Sequence, residues 1–160
     1  MTPTSITVAI VAIVSAFAMS GSTIRAQDAP QRSLVGVWLT ETTRRNCDTG
    51  APIATNRTQV TFAQGGTLLE TIGPSIARTQ GNGIWKREQG YNEYSFATRF
   101  MRYDAAGVFV GSGIVRAAIT LDETGDNYTS TATSDALDVN GNVIASGCAT
   151  SVATRFKGEN

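Results

Sequence analysis

The 160-residue chain contains no histidine. That absence removes Ser-His-Asp and Cys-His nucleophilic catalysis, imidazole acid–base chemistry and the commonest zinc sites. Lysine is nearly absent too, present only as Lys86 and Lys157. The 13 basic residues are otherwise arginine, lie scattered, and balance 13 acidic ones, so no basic stripe marks a nucleic-acid surface. No stretch sustains a helical period. Beyond the N-terminus no apolar run reaches about 20 residues, so no transmembrane helix is expected in the mature chain. No motif calls for a metal or a cofactor, and no acid, base or nucleophile stands in a diagnostic catalytic spacing.

Cysteine is scarce, and its placement is informative. Cys47 lies just past the first strand-like run and Cys148 lies inside the last. If the two pair, they staple the ends of the domain side by side, which is what a closed barrel requires. The loop between them is about 100 residues long, for which the chain-entropy model gives about 4.7 kcal/mol. Two buried free thiols are the alternative.

An oxidised pair goes with export, and the N-terminus has an export pattern. Residues 6–19 form a nearly unbroken apolar run, too short to span a bilayer comfortably but suited to a signal-peptide core. A cut after Ala26 leaves Gln27 as the mature start, and Ala18-Met19-Ser20 offers a second cut. No lysine or arginine precedes the run, and an uncleaved N-terminal anchor is the alternative. The expected organisation is a signal peptide at 1–26, a polar lead-in at 27–33 and one β domain at 34–157. The expected location is periplasmic or secreted.

Glycine, asparagine and aspartate punctuate the domain at the 8–12-residue spacing of all-β folds. They delimit eight runs: 34–45, 57–63, 67–72, 81–87, 92–103, 108–121, 127–138 and 143–156. Asn140-Gly141 in the last hairpin predicts a type I′ turn. Asp138-x-Asn140-x-Asn142 resembles the start of a calcium loop but lacks its glycine and late glutamate, so the hairpin is preferred. Short turns imply antiparallel neighbours. The expected fold is an eight-stranded antiparallel up-and-down β-barrel closed by the disulfide, with a two-sheet β-sandwich as the alternative. Alternation leaves both faces of the longer runs partly apolar, so inside and outside stay unassigned.

Gly36-Val37-Trp38 in the first run resembles the G-x-W signature of lipocalins and the wider calycin barrels, and Thr154-Arg155-Phe156 closes the last run. The resemblance implies that Arg155 packs across Trp38 and closes one end of the barrel. It covers the strand count, one tripeptide and one arginine; a second lipocalin signature and a helix between the last strands are missing. It implies an exported container for a small apolar or amphipathic ligand, either a monomer or an oligomer of unknown size.

Trp85, Phe96 and Tyr103 are the expected aromatic wall of such a site, although core filling explains them as well. Arg99 and Arg116 stand mid-strand on neighbouring runs. Inside a barrel each needs an anion, from a ligand or from Glu70 or Glu93; otherwise both face solvent. Two other functions stay open. One is a cofactor-free isomerase or cyclase, in a barrel similar to allene oxide cyclase, using Glu41, Glu70 or Glu93 with Tyr91, Tyr94 or Tyr103. The other is a barrel acting through its surface, as an envelope partner or protease inhibitor. Asn56-Arg57-Thr58 and Asn127-Tyr128-Thr129 fit the glycosylation sequon, which has meaning only in a eukaryotic secretory pathway.

Overall fold

The computed structural model describes residues 33–73, 75 and 77–158. The expected signal peptide and almost all of the polar lead-in lie outside the described residues. The eight strands are β1 (Gly36–Arg45), β2 (Pro52–Phe62), β3 (Thr67–Ile72), β4 (Gly81–Arg87), β5 (Glu93–Tyr103), β6 (Phe109–Leu121), β7 (Asn127–Leu137) and β8 (Val143–Arg155). Each pairs antiparallel with its neighbour in sequence, and β8 returns to β1, so the sheet is a closed barrel and not a sandwich. Closure leaves no free sheet edge.

β2 starts five residues earlier than the pattern suggests. Pro52 occupies its first position, where the missing N–H breaks no interior ladder bond. The other boundaries fall within two residues of those expected.

The β1–β8 seam runs from Trp38 opposite Arg155 to Arg45 opposite Cys148. The Cys47–Cys148 disulfide, Cα–Cα 5.2 Å, fastens one end of that seam. The Arg155 guanidinium lies 4.3 Å from the Trp38 ring centroid at the other end. It also donates to the carbonyls of Ser33, Val35 and Gly125. Trp38 is fully buried and its Nε1 donates to the Leu34 carbonyl at 2.9 Å. Gly36 has a specific reason to be glycine. Its φ is +139°, and a Cβ there would stand 2.7 Å from Arg155 Nη1. The spacing of Gly36-Val37-Trp38 thus makes room for the cation that the tryptophan receives.

The inward stripe changes chemistry along the barrel. At the Trp38 end, Leu34, Trp38, Phe62, Tyr94, Ile119 and Leu121 are buried together as a packed core. Further along β1 the inward residues become Thr40, Thr42 and Arg44, and along β7 Tyr128 gives way to Ser130, Ala132 and Ser134. One end is therefore sealed by a packed core, and the other end is hollow.

Three of the hairpins share one turn. Asp104, Asp122 and Asp138 each open a four-residue D-x-x-G sequence, with Gly107, Gly125 and Gly141 at positive φ. The glycine N–H donates to the aspartate carbonyl, and the aspartate carboxylate accepts backbone N–H groups further along the turn. This corrects the type I′ expectation at Asn140-Gly141. Only Gly141 has positive φ there, because the Asp138 carboxylate holds the Asn140 and Asn142 amides in a type I turn followed by a left-handed glycine. No described glutamate or aspartate cluster forms a metal site.

Candidate functional site

A chamber of about 250 Å³ lies above the sealed end. Every strand except β4 contributes to its wall. Phe96, Phe100, Val60, Leu68 and Val115 supply the apolar part of that wall. The polar part consists of Thr40, Thr58, Thr98, Tyr128, Ser130 and Ser151, with Asn56 and Arg44 toward the open end. A wider groove of about 700 Å³ lies on the outside of the barrel around Leu39 and Val152, where both side chains are exposed. The interior chamber is the candidate site because several of its polar side chains, Thr40, Thr58, Thr98 and Ser130, are buried inside the barrel beside an apolar wall.

One ion pair stands in the chamber. Glu70 projects from β3 and accepts from Arg78 Nη2 at 2.7 Å. Both side chains are about four-fifths buried, at 19% and 22% exposure, so the pair is screened far less than a surface pair. Arg78 comes from the β3–β4 connection. A bridge to Arg102, together with Thr79 N–H to Met101 O and Tyr103 N–H to Ala77 O, lays that connection along β5. Its guanidinium lies 3.6 Å from the Phe100 ring centroid, so ring, guanidinium and carboxylate form one stack.

Tyr128 closes the chamber floor. Its ring packs at 4.9 Å on Trp38, and its hydroxyl shares a 3.0 Å hydrogen bond with Thr40. Burial is the main cause that pushes its pKa up to about 12; the Thr40 hydrogen bond opposes this and the Glu70 charge adds to it. The phenol is therefore neutral across the ordinary pH range.

The structure separates the residues expected in the site. Phe96 lies on the chamber wall. Trp85 lies at the sealed end, against Phe62 and Tyr94, with its Nε1 donating to the Ala63 carbonyl. Tyr103 sits beyond a register shift at the end of β5 and packs on Phe109 outside the chamber wall. Arg99 and Arg116 are on the outer face, where Arg99 donates to Ser112 and Arg116 pairs with Asp135 at 2.9 Å. Inward positions on β5 are Tyr94, Phe96, Thr98 and Phe100, and the alternation places Arg99 opposite to them. Of the acid–base candidates, Glu70 faces the chamber, Glu41 pairs with Arg57 outside, and Glu93 accepts from Thr120. Of the sequon asparagines, Asn56 faces the chamber, and Asn127 bonds Asp122 and Thr154.

Arg78 and the wall hydroxyls were not singled out from the sequence. Arg78 follows a Gly73-Pro74 breaker, and nothing local shows that its loop folds back over β5. The hydroxyls did leave a trace, in the Tyr128, Ser130, Ala132, Ser134 alternation of β7. A stripe of small polar residues under one aromatic reads equally well as a solvent face.

No protein-family model, curated protein or solved structure matches this chain significantly.

Proposed function

We propose that the protein is an exported, lipocalin-like container that binds one small amphipathic molecule inside the barrel. The single observation behind this is the chamber of about 250 Å³ inside the barrel, open at one end above a packed floor, which joins an apolar wall to a few convergent polar groups. The surroundings support it. The Cys47–Cys148 pair suits an oxidising compartment. The outer wall carries the Arg57–Glu41 and Arg116–Asp135 pairs, which suit water better than lipid. Among the described residues no helix is long and apolar enough to cross a membrane. Within the proposal, Phe96, Phe100, Glu70 and Arg78 take the ligand-facing roles; Trp38 and Arg155 close the base.

Native mass spectrometry of protein purified from its own host, followed by extraction of any bound compound, tests the proposal. A stoichiometric small molecule that is displaced by the chamber-filling substitution Ala132→Phe is the expected result. Bare protein across independent preparations would overturn it.

A second function draws on one specific observation. A carboxylate (Glu70), a guanidinium (Arg78) and a neutral phenol (Tyr128) line the same chamber, the equipment a cofactor-free isomerase or cyclase would use for proton transfer. Recovery of a substrate–product pair from the barrel, with turnover lost in Glu70→Gln, would favour that function over storage or transport.

A further inference from the structure

Among the described residues, the hollow end of the barrel turns three guanidinium groups inward and one carboxylate. Arg44 lines the chamber from β1, exposed at the open end, and its cross-strand neighbours are Ala54 and Ala149, so no carboxylate flanks it. Arg78 lines the chamber from the β3–β4 connection. Arg102 follows Phe100 by two residues on the inward face of β5, opposite Gly111, and its Nη1 donates to the Leu137 carbonyl at 3.4 Å. Glu70 is the one acidic residue of the chamber wall. Other carboxylates near this end are committed elsewhere or lie outside. Asp104 and Asp138 accept amides of their own turns, Asp135 pairs with Arg116 on the outer face, and Asp48 is exposed in the β1–β2 loop. Three inward cations against one inward anion leave positive charge in excess at the mouth.

The Glu70–Arg78 pair leaves part of Arg78 available. Its Nε–H donates to the Thr79 carbonyl and its Nη2–H to Glu70, so the Nη1 edge takes part in neither bond. The Phe100 ring, 3.6 Å from the guanidinium, holds its position. A Cβ at Gly81 would stand 2.8 Å from Glu70 Oε2, so the carboxylate lies against β4, at one wall of the chamber. A guanidinium held in this way presents a planar fork that fits a carboxylate. Positive charge at the mouth of a low-dielectric cavity concentrates anions there. Deeper in the chamber Val60, Leu68 and Phe96 supply apolar wall. A volume of about 250 Å³ corresponds to on the order of ten heavy atoms, taking about 30 Å³ for a liquid water.

We infer that the occupant is a small amphipathic organic anion of that size, with its acid group facing the arginines of the open end and its apolar part against Val60, Leu68 and Phe96. Arg44 and Arg78 are the cations on the chamber wall, and Arg102 adds to the positive field at the rim. Glu70 holds Arg78 in place and also lowers the positive charge that the acid group meets. This rests on the container function proposed above and specifies its ligand class and orientation.

The test is isothermal titration calorimetry of the full mature protein with octanoate and 3-phenylpropanoate, each against its neutral amide, octanamide and 3-phenylpropanamide. At low salt each acid should bind wild type about tenfold tighter than its amide. Arg44→Gln and Arg102→Gln should each weaken the acids about three- to tenfold, narrowing the gap to the amides. Glu70→Gln should tighten the acids about threefold or more, because Arg78 keeps a hydrogen-bond acceptor and loses its counter-charge. Raising the salt to about 1 M should shrink the preference for acids. Amides that bind wild type as tightly as the acids do, or a preference that is the same in wild type and in all three variants, would overturn the anion assignment while the container function stands. If neither acids nor amides bind wild type, the container function itself fails. Should one arginine variant not fold, the other and the Glu70→Gln protein carry the comparison.

Discussion

Arg155 joins the two ends of the described chain through its contacts. It stacks on Trp38 and donates to three carbonyls that precede β1 or sit in the β6–β7 turn. Charge-assisted hydrogen bonds of this kind contribute more than neutral ones. Arg155→Ala should cost about 2–4 kcal/mol in urea denaturation; a loss below about 1 kcal/mol would mean the carbonyls find water easily. Gly36→Ala should cost about 1–3 kcal/mol from backbone strain and from the approach of Arg155 Nη1. In the Arg155→Ala background the Gly36→Ala cost should shrink, since one of its two causes is gone. Additive losses would show that strain alone is responsible. The Trp38–Arg155 contact was legible because a sequence signature marks it. Tyr128 carried no such mark, although it makes a prediction of its own. Its folded pKa of about 12 lies above the ordinary 10, so its contribution is intact below pH 10 and drains away as pH rises toward 12. Tyr128→Phe should flatten that alkaline limb in a pH series of melting temperatures. An unchanged limb would place the loss on other groups.

At the scale of elements, the recurrent D-x-x-G turn sets the barrel's register. Asp122 is held well below the usual carboxylate range, chiefly by the Asn127 side chain and with help from Thr124 and the Asn127 and Asp126 amides. Asn142 and its backbone lower Asp138 in the same way. A carboxylate with a depressed folded pKa supports the fold above its unfolded pKa, near 4, and loses that support as pH falls toward the folded value. Thermal stability should therefore decline below about pH 4, and Asp122→Asn should make the acid limb shallower. An acid limb identical to wild type would show that the turn does not feel the charge. The turns themselves were legible as turns, since glycine and aspartate punctuate locally. Their type was not, because the aspartate carboxylate, and not the Asn-Gly pair, chose the backbone path.

For the whole molecule, closure is the central fact. A Cys47→Ser/Cys148→Ser protein should lose about 3–5 kcal/mol, the scale set by a loop of about 100 residues. It should still give a native near-UV circular dichroism spectrum at low temperature, because the β1–β8 ladder and the Trp38–Arg155 contact hold the rest of the seam. Collapse of that spectrum would mean that the disulfide alone closes the barrel. With no histidine in the chain, stability should be flat from about pH 5 to 9. A step near neutral pH would mean that a carboxylate or the terminal amine titrates there with a shifted pKa.

Strand number, antiparallel order, the pairing of first and last strands and the joined cysteines followed from sequence alone. Each depends on local punctuation, or on two marked residues brought together by one seam. The inside of the barrel was decided only in three dimensions. A wall of threonine and serine looks like a solvent face in a period-two pattern, since the pattern encodes alternation and not which side is enclosed. Arg99 and Arg116 fell outside and Arg78 reached inside because one residue of register inverts a side chain's face and because a loop can fold across a neighbouring strand. The two clamps on the seam, at Cys47–Cys148 and at Trp38–Arg155, were written in the chain. The hollow between them exists because curvature leaves Thr58, Thr98 and Ser130 facing a space that their small side chains do not fill.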